Sequence, residues 1–194
     1  MIVEFNYYKR DSVTENKDWN VTWDLDTQIS LDQFKIDNPH FSMFRKAAEV
    51  VPFDNNAKYK IEMINEVDKN LTHWLYLIVV DNRIIKGGKS KVKLQTRSYT
   101  AGTEYGWKHS GASGANYVMS QFFRSCLNNN VPVYFYGYRP TMLTGNFMVF
   151  GDEQDISFST YEHYEQALND KLYNYLGERP YGDLKGFEQR NNIS

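Results

Sequence analysis

The sequence predicts an α+β fold, a small and mostly antiparallel central sheet flanked by helices, with an α/β extension at its N-terminus. Three observations carry that expectation. The β-branched-rich run Leu75-Tyr76-Leu77-Ile78-Val79-Val80 meets Asp81-Asn82 and returns as Arg83-Ile84-Ile85-Lys86 before Gly87-Gly88, which is a hairpin signal. Val118, Phe122 and Cys126 recur at helical spacing within residues 115–128. Ser159-Thr160-Tyr161-Glu162 has the spacing of a capping box, and the stretch behind it runs to Leu176, stopping at Gly177 with Pro180 beyond. A sheet with one apolar face or two must cover it, and helices of this kind provide the cover.

The remaining elements follow in order. Residues 1–8 and 21–25 are expected as short strands, and Ser30 to Gln33 has capping-box spacing before a weak helix. A better helix is expected after Asn38-Pro39, with Phe41, Phe44, Ala48 and Val51 on one face until Pro52 stops it. Residues 58–66 alternate, with Tyr59, Ile61 and Met63 on one side, the period of a strand. Ser90 can cap a short helix carrying basic residues, closed by Gly102. A polar loop over 103–114 precedes the helix of 115–128; residues 131–138 read as the third core strand and 147–150 as another short one. The division expected is an extension over residues 1–70 and a core over residues 71–194.

A chain of 194 residues suits one domain, or one domain with an extension, and buries about 70% of its unfolded surface without staples. Its single cysteine, Cys126, cannot close an internal disulfide, and no Cys/His cluster offers a zinc site. Cys126 is expected to be a small, half-buried helix residue. Residues 1–10 are too polar for a signal peptide and no stretch reaches transmembrane length, so a soluble, cytoplasmic protein with no membrane partner is expected. On that basis the sequons at Asn20, Asn70 and Asn192 are chance matches.

A net charge of −2 argues, by itself, against a nucleic-acid partner. Its distribution argues the other way. Residues 1–82 hold 9 Lys/Arg against 14 Asp/Glu, and residues 98–194 hold 7 against 10. Between them Arg83, Lys86, Lys89, Lys91, Lys93 and Arg97 stand in fifteen residues without an acid. Such a segment either meets an anion or is a solvated cationic helix face, and charge alone does not choose between the two.

The order of the polar residues chooses. Tyr76 stands in the first hairpin strand, Lys86-Gly87-Gly88-Lys89-Ser90 closes the second, Arg97 is followed by Ser98-Tyr99, and Ser157-Phe158-Ser159-Thr160 precedes Glu165. In this order the motifs resemble the GIY-YIG nuclease superfamily, and within it a small branch of type II restriction endonucleases in which Lys replaces the Tyr of the second half-motif. The similarity extends upstream to Val51-Pro52 and Lys60-Ile61-Glu62 and downstream to Arg179-Pro180-Tyr181-Gly182, so it covers most of the chain beyond the first thirty residues. Each half-motif is common alone; the ordered set is much more specific. The resemblance implies a GIY-YIG-like core and a sequence-specific endonuclease acting on double-stranded DNA with Mg2+ or Mn2+. It implies Tyr76, Lys86, Arg97, Tyr99 and Glu165 as catalytic residues, with Glu165 the metal ligand. Cleavage of a two-fold site further implies a homodimer, and residues 1–70 would then serve DNA recognition or dimerisation.

The residue types suit that chemistry independently. Phosphodiester hydrolysis needs a deprotonated water, neutralised phosphate charge and a stabilised leaving oxygen. A tyrosine is a poor base at its reference pKa of about 10, but an adjacent ammonium such as Lys86 favours the phenolate. Arg97 can hold a phosphate through its planar fork, and Glu165 offers a hard oxygen suited to Mg2+. Tyr99, by resemblance, hydrogen-bonds the scissile phosphate. Arg97 and Tyr99 stand closer together than in the family the motifs resemble, so either Tyr99 is displaced, or Arg97 is not the counterpart and Lys93, one turn earlier in the expected helix, contributes. Lys89 stands where a His can occur; as a permanent cation it suits phosphate rather than proton transfer. Lys89, Lys91, Lys93, Lys108 and His109 are the expected DNA contacts, with Trp107 beside the last two, and Arg124 and Arg139 as further phosphate contacts. Without the resemblance, Tyr76 is a packing residue, the cations are solvated, and Glu165 is an ordinary surface glutamate. The rival functions are a phage or mobile-element nuclease of looser specificity and a catalytically silent DNA-binding module on the same fold.

The assignment makes a geometric demand. A two-residue turn at Asp81-Asn82 puts Lys86 opposite Leu77, on the other face of the hairpin from Tyr76. A three-residue connection over 80–82, with Asn82 left-handed, pairs Tyr76 with Lys86 on one face. The second register is the one expected.

Overall fold

A computed structural model describes residues 1–10, 16–53, 58–96, 114–141, 143–158, 160–183 and 190. Strands β1 (Ile2–Arg10) and β2 (Asn16–Asp24) form an antiparallel hairpin of their own. The main sheet is built from β3 (Ile29–Ser30), β4 (Arg45–Phe53), β5 (Lys58–Met63), β6 (Trp74–Val80), β7 (Arg83–Ser90) and β8 (Val133–Tyr138). Its spatial order is β3-β7-β6-β8-β4-β5, and every neighbouring pair is antiparallel. A second hairpin, β9 (Leu143–Val149) with β10 (Asp152–Phe158), stands apart from that sheet. The helices are α1 (Leu31–Asp37), α2 (Gly114–Asn128) and α3 (Tyr161–Leu176). The α+β class expected from the sequence is the one found. No helix among the described residues is long and apolar enough to cross a membrane.

The sheet is buried on both faces, and β6 shows why. Every one of its residues is buried, so the strand reads as a continuous apolar run rather than an alternation. Trp74, Tyr76, Ile78 and Val80 join the cluster made with α2 and the β1–β2 hairpin, where Val118, Met119, Phe122 and Phe123 meet Phe5 and Trp23. Leu75, Leu77 and Val79 join the opposite cluster, with Phe34 of α1 and Leu168 and Leu172 of α3. Each fully buried side chain of this kind contributes about 1.5–3 kcal/mol. Cys126 lies wholly inside the first cluster rather than half-buried, and desolvation pushes its thiol up to about 12, which makes it inert.

Several local expectations are corrected. The helix expected after Asn38-Pro39 is a short 3-10 turn, Pro39–Met43, followed by strand β4. A β-bulge explains the misleading pattern: Lys46 pairs with Tyr136 and Ala48 with Phe135, so Ala47 is an extra residue and both alanines are buried. The extra residue breaks the two-residue period and leaves apolar positions spaced like a helix. Pro52 does not stop an element but pairs with Tyr59, beyond Val50, where the β8 ladder ends. The short strand expected at 147–150 is half of the β9–β10 hairpin, whose turn places Phe150 and Gly151 at φ 53° and 96°. Helix α1 keeps its cap, Ser30 Oγ accepting from the Gln33 amide at 3.4 Å. Helix α3 starts after Thr160, which makes no side-chain cap bond; Ser159 lies outside the described residues. It ends as expected at Gly177, at φ 80°. Strands β3, β4 and β5, from the first seventy residues, lie in the same sheet as β6, β7 and β8.

A buried ion pair ties the start of β4 to the segment before β6. Arg45 donates to Asp68 Oδ1 at 2.7 Å, and its guanidinium lies over the Trp74 ring, 5.9 Å from the centroid. Asp68 is 1% exposed, and the Arg45 hydrogen bond holds its carboxyl below the usual range. A lowered carboxylate pKa contributes stability above the unfolded value of about 3.9, lost as pH falls through the folded value. The Asp68→Asn substitution is therefore expected to cost about 1–2 kcal/mol at pH 7, discounted because the guanidinium is half open to water. Urea unfolding at pH 7 and at successively lower pH should show that deficit shrinking below about pH 4. A deficit constant across the range would contradict it.

Candidate active site around strand β7

The hairpin β6–β7 satisfies the geometric demand by another route than the one expected. Asp81 and Asn82 have φ 46° and 60°, and Val80 pairs with Arg83, so the connection is a two-residue turn and not a three-residue one. The parity is restored one step later. Val79 pairs with Ile84 and Ile78 with Lys86, leaving Ile85 as a bulge residue. Lys86 therefore shares the α2 face with Ile78 and Tyr76, and Ile85 turns to that face too.

Beyond the bulge β7 carries two glycines, and each admits a close neighbour on a different face. Tyr76 pairs with Gly88. A Cβ on Gly88 would lie 2.6 Å from the Tyr76 hydroxyl oxygen and 2.7 Å from Cζ, so the phenol crosses from β6 directly over Gly88. On the α3 face, a Cβ on Gly87 would lie 2.8 Å from Asn169 Oδ1 and 2.9 Å from a Leu172 methyl. The bare backbone thus lets a tyrosine lie on one side and α3 on the other. Strand β3 pairs β7 only at Arg83 and Ile84; among the described residues, no strand covers that edge past Ile84. The phenol lies over Gly88, fully buried on the α2 face.

Lys86 is held there by the chain's C-terminal part. Its Nζ donates to the Gly182 carbonyl at 2.7 Å, and the Gly182 amide donates to the Ile85 carbonyl at 2.9 Å. Tyr181 anchors that segment, stacked on Trp23 at 5.1 Å and bonded through its amide to Gln28 Oε1 at 3.2 Å. A Cβ on Gly182 would meet Lys86 Cβ and Met119 Sδ at 2.8 Å, so only glycine fits. On the α3 face, Lys89 pairs with Leu75 and its Nζ lies 2.9 Å from Glu165 Oε2. Both side chains are about one quarter to one third exposed, at 30% and 26%. Asn169, one helical turn after Glu165, points its carboxamide oxygen along the same face.

Tyr76 and Lys86 thus flank β7 from the α2 face, and Lys89 and Glu165 from the α3 face. Arg97, Tyr99, Lys108 and His109, with Trp107 and Gly102, lie outside the described residues. The helix expected after Ser90 is corrected at its start: Ser90 ends β7, its hydroxyl donates to the Val92 carbonyl at 2.8 Å, and a 3-10 turn follows at Leu94–Thr96. The basic segment is consequently no cationic helix face. Arg83 reaches Asp26 at 3.4 Å and Lys93 donates to Asn70 Oδ1 at 2.7 Å, while Lys91 is exposed. Arg139 donates to the Thr72 carbonyl at 2.9 Å. The role of Gly182 as the anchor of Lys86, and the placing of Asn169, were not foreseen; the Arg179-Pro180-Tyr181-Gly182 motif marked the first without indicating its contact.

No group of three or more His, Cys, Asp or Glu side chains is arranged to hold a metal among the described residues. Mg2+ does not require one, since it commonly keeps several waters and takes one or two carboxylates with substrate phosphate oxygens. Glu165, partly buried and one helical turn before Asn169 on α3, fits that pattern.

In class, the molecule is an α+β protein with a six-stranded antiparallel sheet, the polar side chains gathered around its strand β7. Bacteriophage T4 EndoII, solved as a point variant, has this fold: its TM-score is 0.52 at 17% identity, over 75% of this chain and 96% of that one. The restriction endonuclease HPY188I, solved in complex with product DNA, is 26% identical over 84% of this chain and 95% of that one, with a TM-score of 0.49. No family model and no curated protein sequence matches the chain.

Proposed function

We propose that this chain is a divalent-metal-dependent endonuclease of the GIY-YIG superfamily, cutting double-stranded DNA at specific sites as type II restriction enzymes do. The observation that supports this reading is the gathering of motif residues around strand β7: the Tyr76 phenol over Gly88, Lys86 fixed on the same face, and Glu165 on the other. The two glycines let side chains and helix from both faces approach β7 closely.

The roles follow from chemistry and placement. Tyr76 takes the proton of the attacking water, with the Lys86 ammonium supplying positive charge on its face. The Gly182 carbonyl engages one N–H of Lys86 and leaves two donors for the reaction. Glu165 holds Mg2+ or Mn2+, which when bound neutralises phosphate charge and stabilises the leaving oxygen. Arg97 clamps the phosphate and Tyr99 hydrogen-bonds it; Lys89, Lys91, Lys93, Lys108 and His109 contact the DNA. Two copies related by a two-fold axis cut the two strands, and residues 1–70 contribute to recognition or dimerisation. Glu165 is brought to β7 by its ion pair with Lys89.

The test is incubation of the purified chain with a large, fully sequenced linear DNA, with Mg2+ and with EDTA, and mapping of the ends. Discrete fragments that require the metal are expected. A smear would indicate a loose nuclease, and intact DNA across several divalent ions would overturn the reading.

A further inference from the structure

Lys89 stands where the metal would act. Its ammonium lies 2.9 Å from Glu165 Oε2, the two side chains share a partly buried position, and its strand neighbour Gly87 lets α3 sit close enough to bring them together. A lysine ammonium and a divalent ion both seek the same carboxylate, and they repel each other at contact distance. Leaving the carboxylate without any cation would instead strand a half-buried charge. We propose that Lys89 is a stand-in cation: it neutralises Glu165 while no metal is present, and it leaves Glu165 for the substrate phosphate when metal and DNA arrive.

The geometry permits that exchange. Lys89 is anchored by its backbone pairing with Leu75 in β6, and its four-carbon stem can swing the ammonium without moving the strand. The carboxylate it releases is the metal ligand of the proposed function, on which this inference rests. The phosphate it receives bears the charge that both cations would share. Metal and DNA therefore assist each other's binding: the metal frees Lys89 for the phosphate, and the phosphate draws Lys89 away from the metal's ligand. Such coupling is reciprocal by thermodynamic necessity. A metal-free chain stays in a neutralised state, and metal alone binds weakly because it must displace an ion pair.

Mn2+ titration without DNA, reading the free ion by electron paramagnetic resonance, tests this apart from any cleavage. Lys89→Met is expected to bind Mn2+ about tenfold more tightly than the unaltered chain, and Lys89→Arg, which restores the cation, to return the weaker affinity. Glu165→Gln should abolish the binding in either background. Thermal unfolding of each variant checks that it is folded. Equal Mn2+ affinity of Lys89→Met and the unaltered chain, with binding still dependent on Glu165, would overturn the stand-in role and leave the metal reading intact. Binding that persists in Glu165→Gln, or no binding in any form, would overturn the metal reading itself and this inference with it.

Discussion

A Gly88→Ala substitution is expected to abolish DNA cleavage and to lower folding stability by about 1–3 kcal/mol, a change of one methyl group on a strand. The added Cβ would stand 2.6 Å from the Tyr76 hydroxyl oxygen, 2.7 Å from Cζ and 3.1 Å from Cε2, so the whole outer half of the ring must move. It has nowhere to go. Tyr76 is fully buried and packs against Phe135 at 5.4 Å between centroids. Replacing glycine by alanine in a strand ordinarily gains about 0.5–1 kcal/mol through the unfolded chain, so a net loss reports the clash. Because the phenol is displaced from its place over Gly88, activity falls even in conditions where the fold survives. Chemical denaturation and a cleavage assay on one preparation separate the two effects. Full activity with unchanged stability would show that Tyr76 does not occupy this position.

Glu165→Gln is expected to lower the cleavage rate by about 10³-fold, the loss of several kcal/mol of metal-supplied charge stabilisation. The substitution keeps the shape and one oxygen but removes the charge. Folding should change by less than about 1 kcal/mol, because the Lys89 ion pair is partly open to solvent and screened. DNA binding should be retained or tightened, since Lys89 loses the carboxylate that holds it back from phosphate.

Much of the fold was legible in the sequence because particular residues announce it. The β6–β7 hairpin is bounded by Asp81-Asn82 and Gly87-Gly88, helix α2 shows Val118, Phe122 and Cys126 at helical spacing, and α3 stops at Gly177. What escaped notice was any extra residue inside a strand. A bulge at Ala47 made β4 look helical, and the bulge at Ile85 did what a longer turn had been expected to do. The motif fixes the parity between Tyr76 and Lys86; it does not say where the additional residue is inserted. The β9–β10 hairpin was half missed because Asp152, Glu153, Gln154 and Asp155 offer no apolar alternation.

In the candidate site, Tyr76, Lys86, Lys89 and Glu165 were named from the order of motifs; Lys86 and Lys89 lie on β7, Tyr76 on the neighbouring β6 and Glu165 on α3. That Tyr76 and Lys86 share a face was expected; that Lys89 and Glu165 lie on the opposite one was not legible. It depends on which residues pair across β6 and β7, and on how α3 returns to pack on Gly87 some eighty residues later. The Gly182 carbonyl that fixes Lys86 lies 96 residues away in the chain, a contact with no local signature.

The most direct measurement places the unaltered chain and Glu165→Gln side by side on the same sequenced DNA with Mg2+, reading complex formation by mobility shift and cleavage by end mapping in the same mixtures. The account predicts that both retard the DNA and that only the unaltered chain produces discrete ends. Equal cleavage by the two would contradict it, because the charge at Glu165 would then play no part in the chemistry.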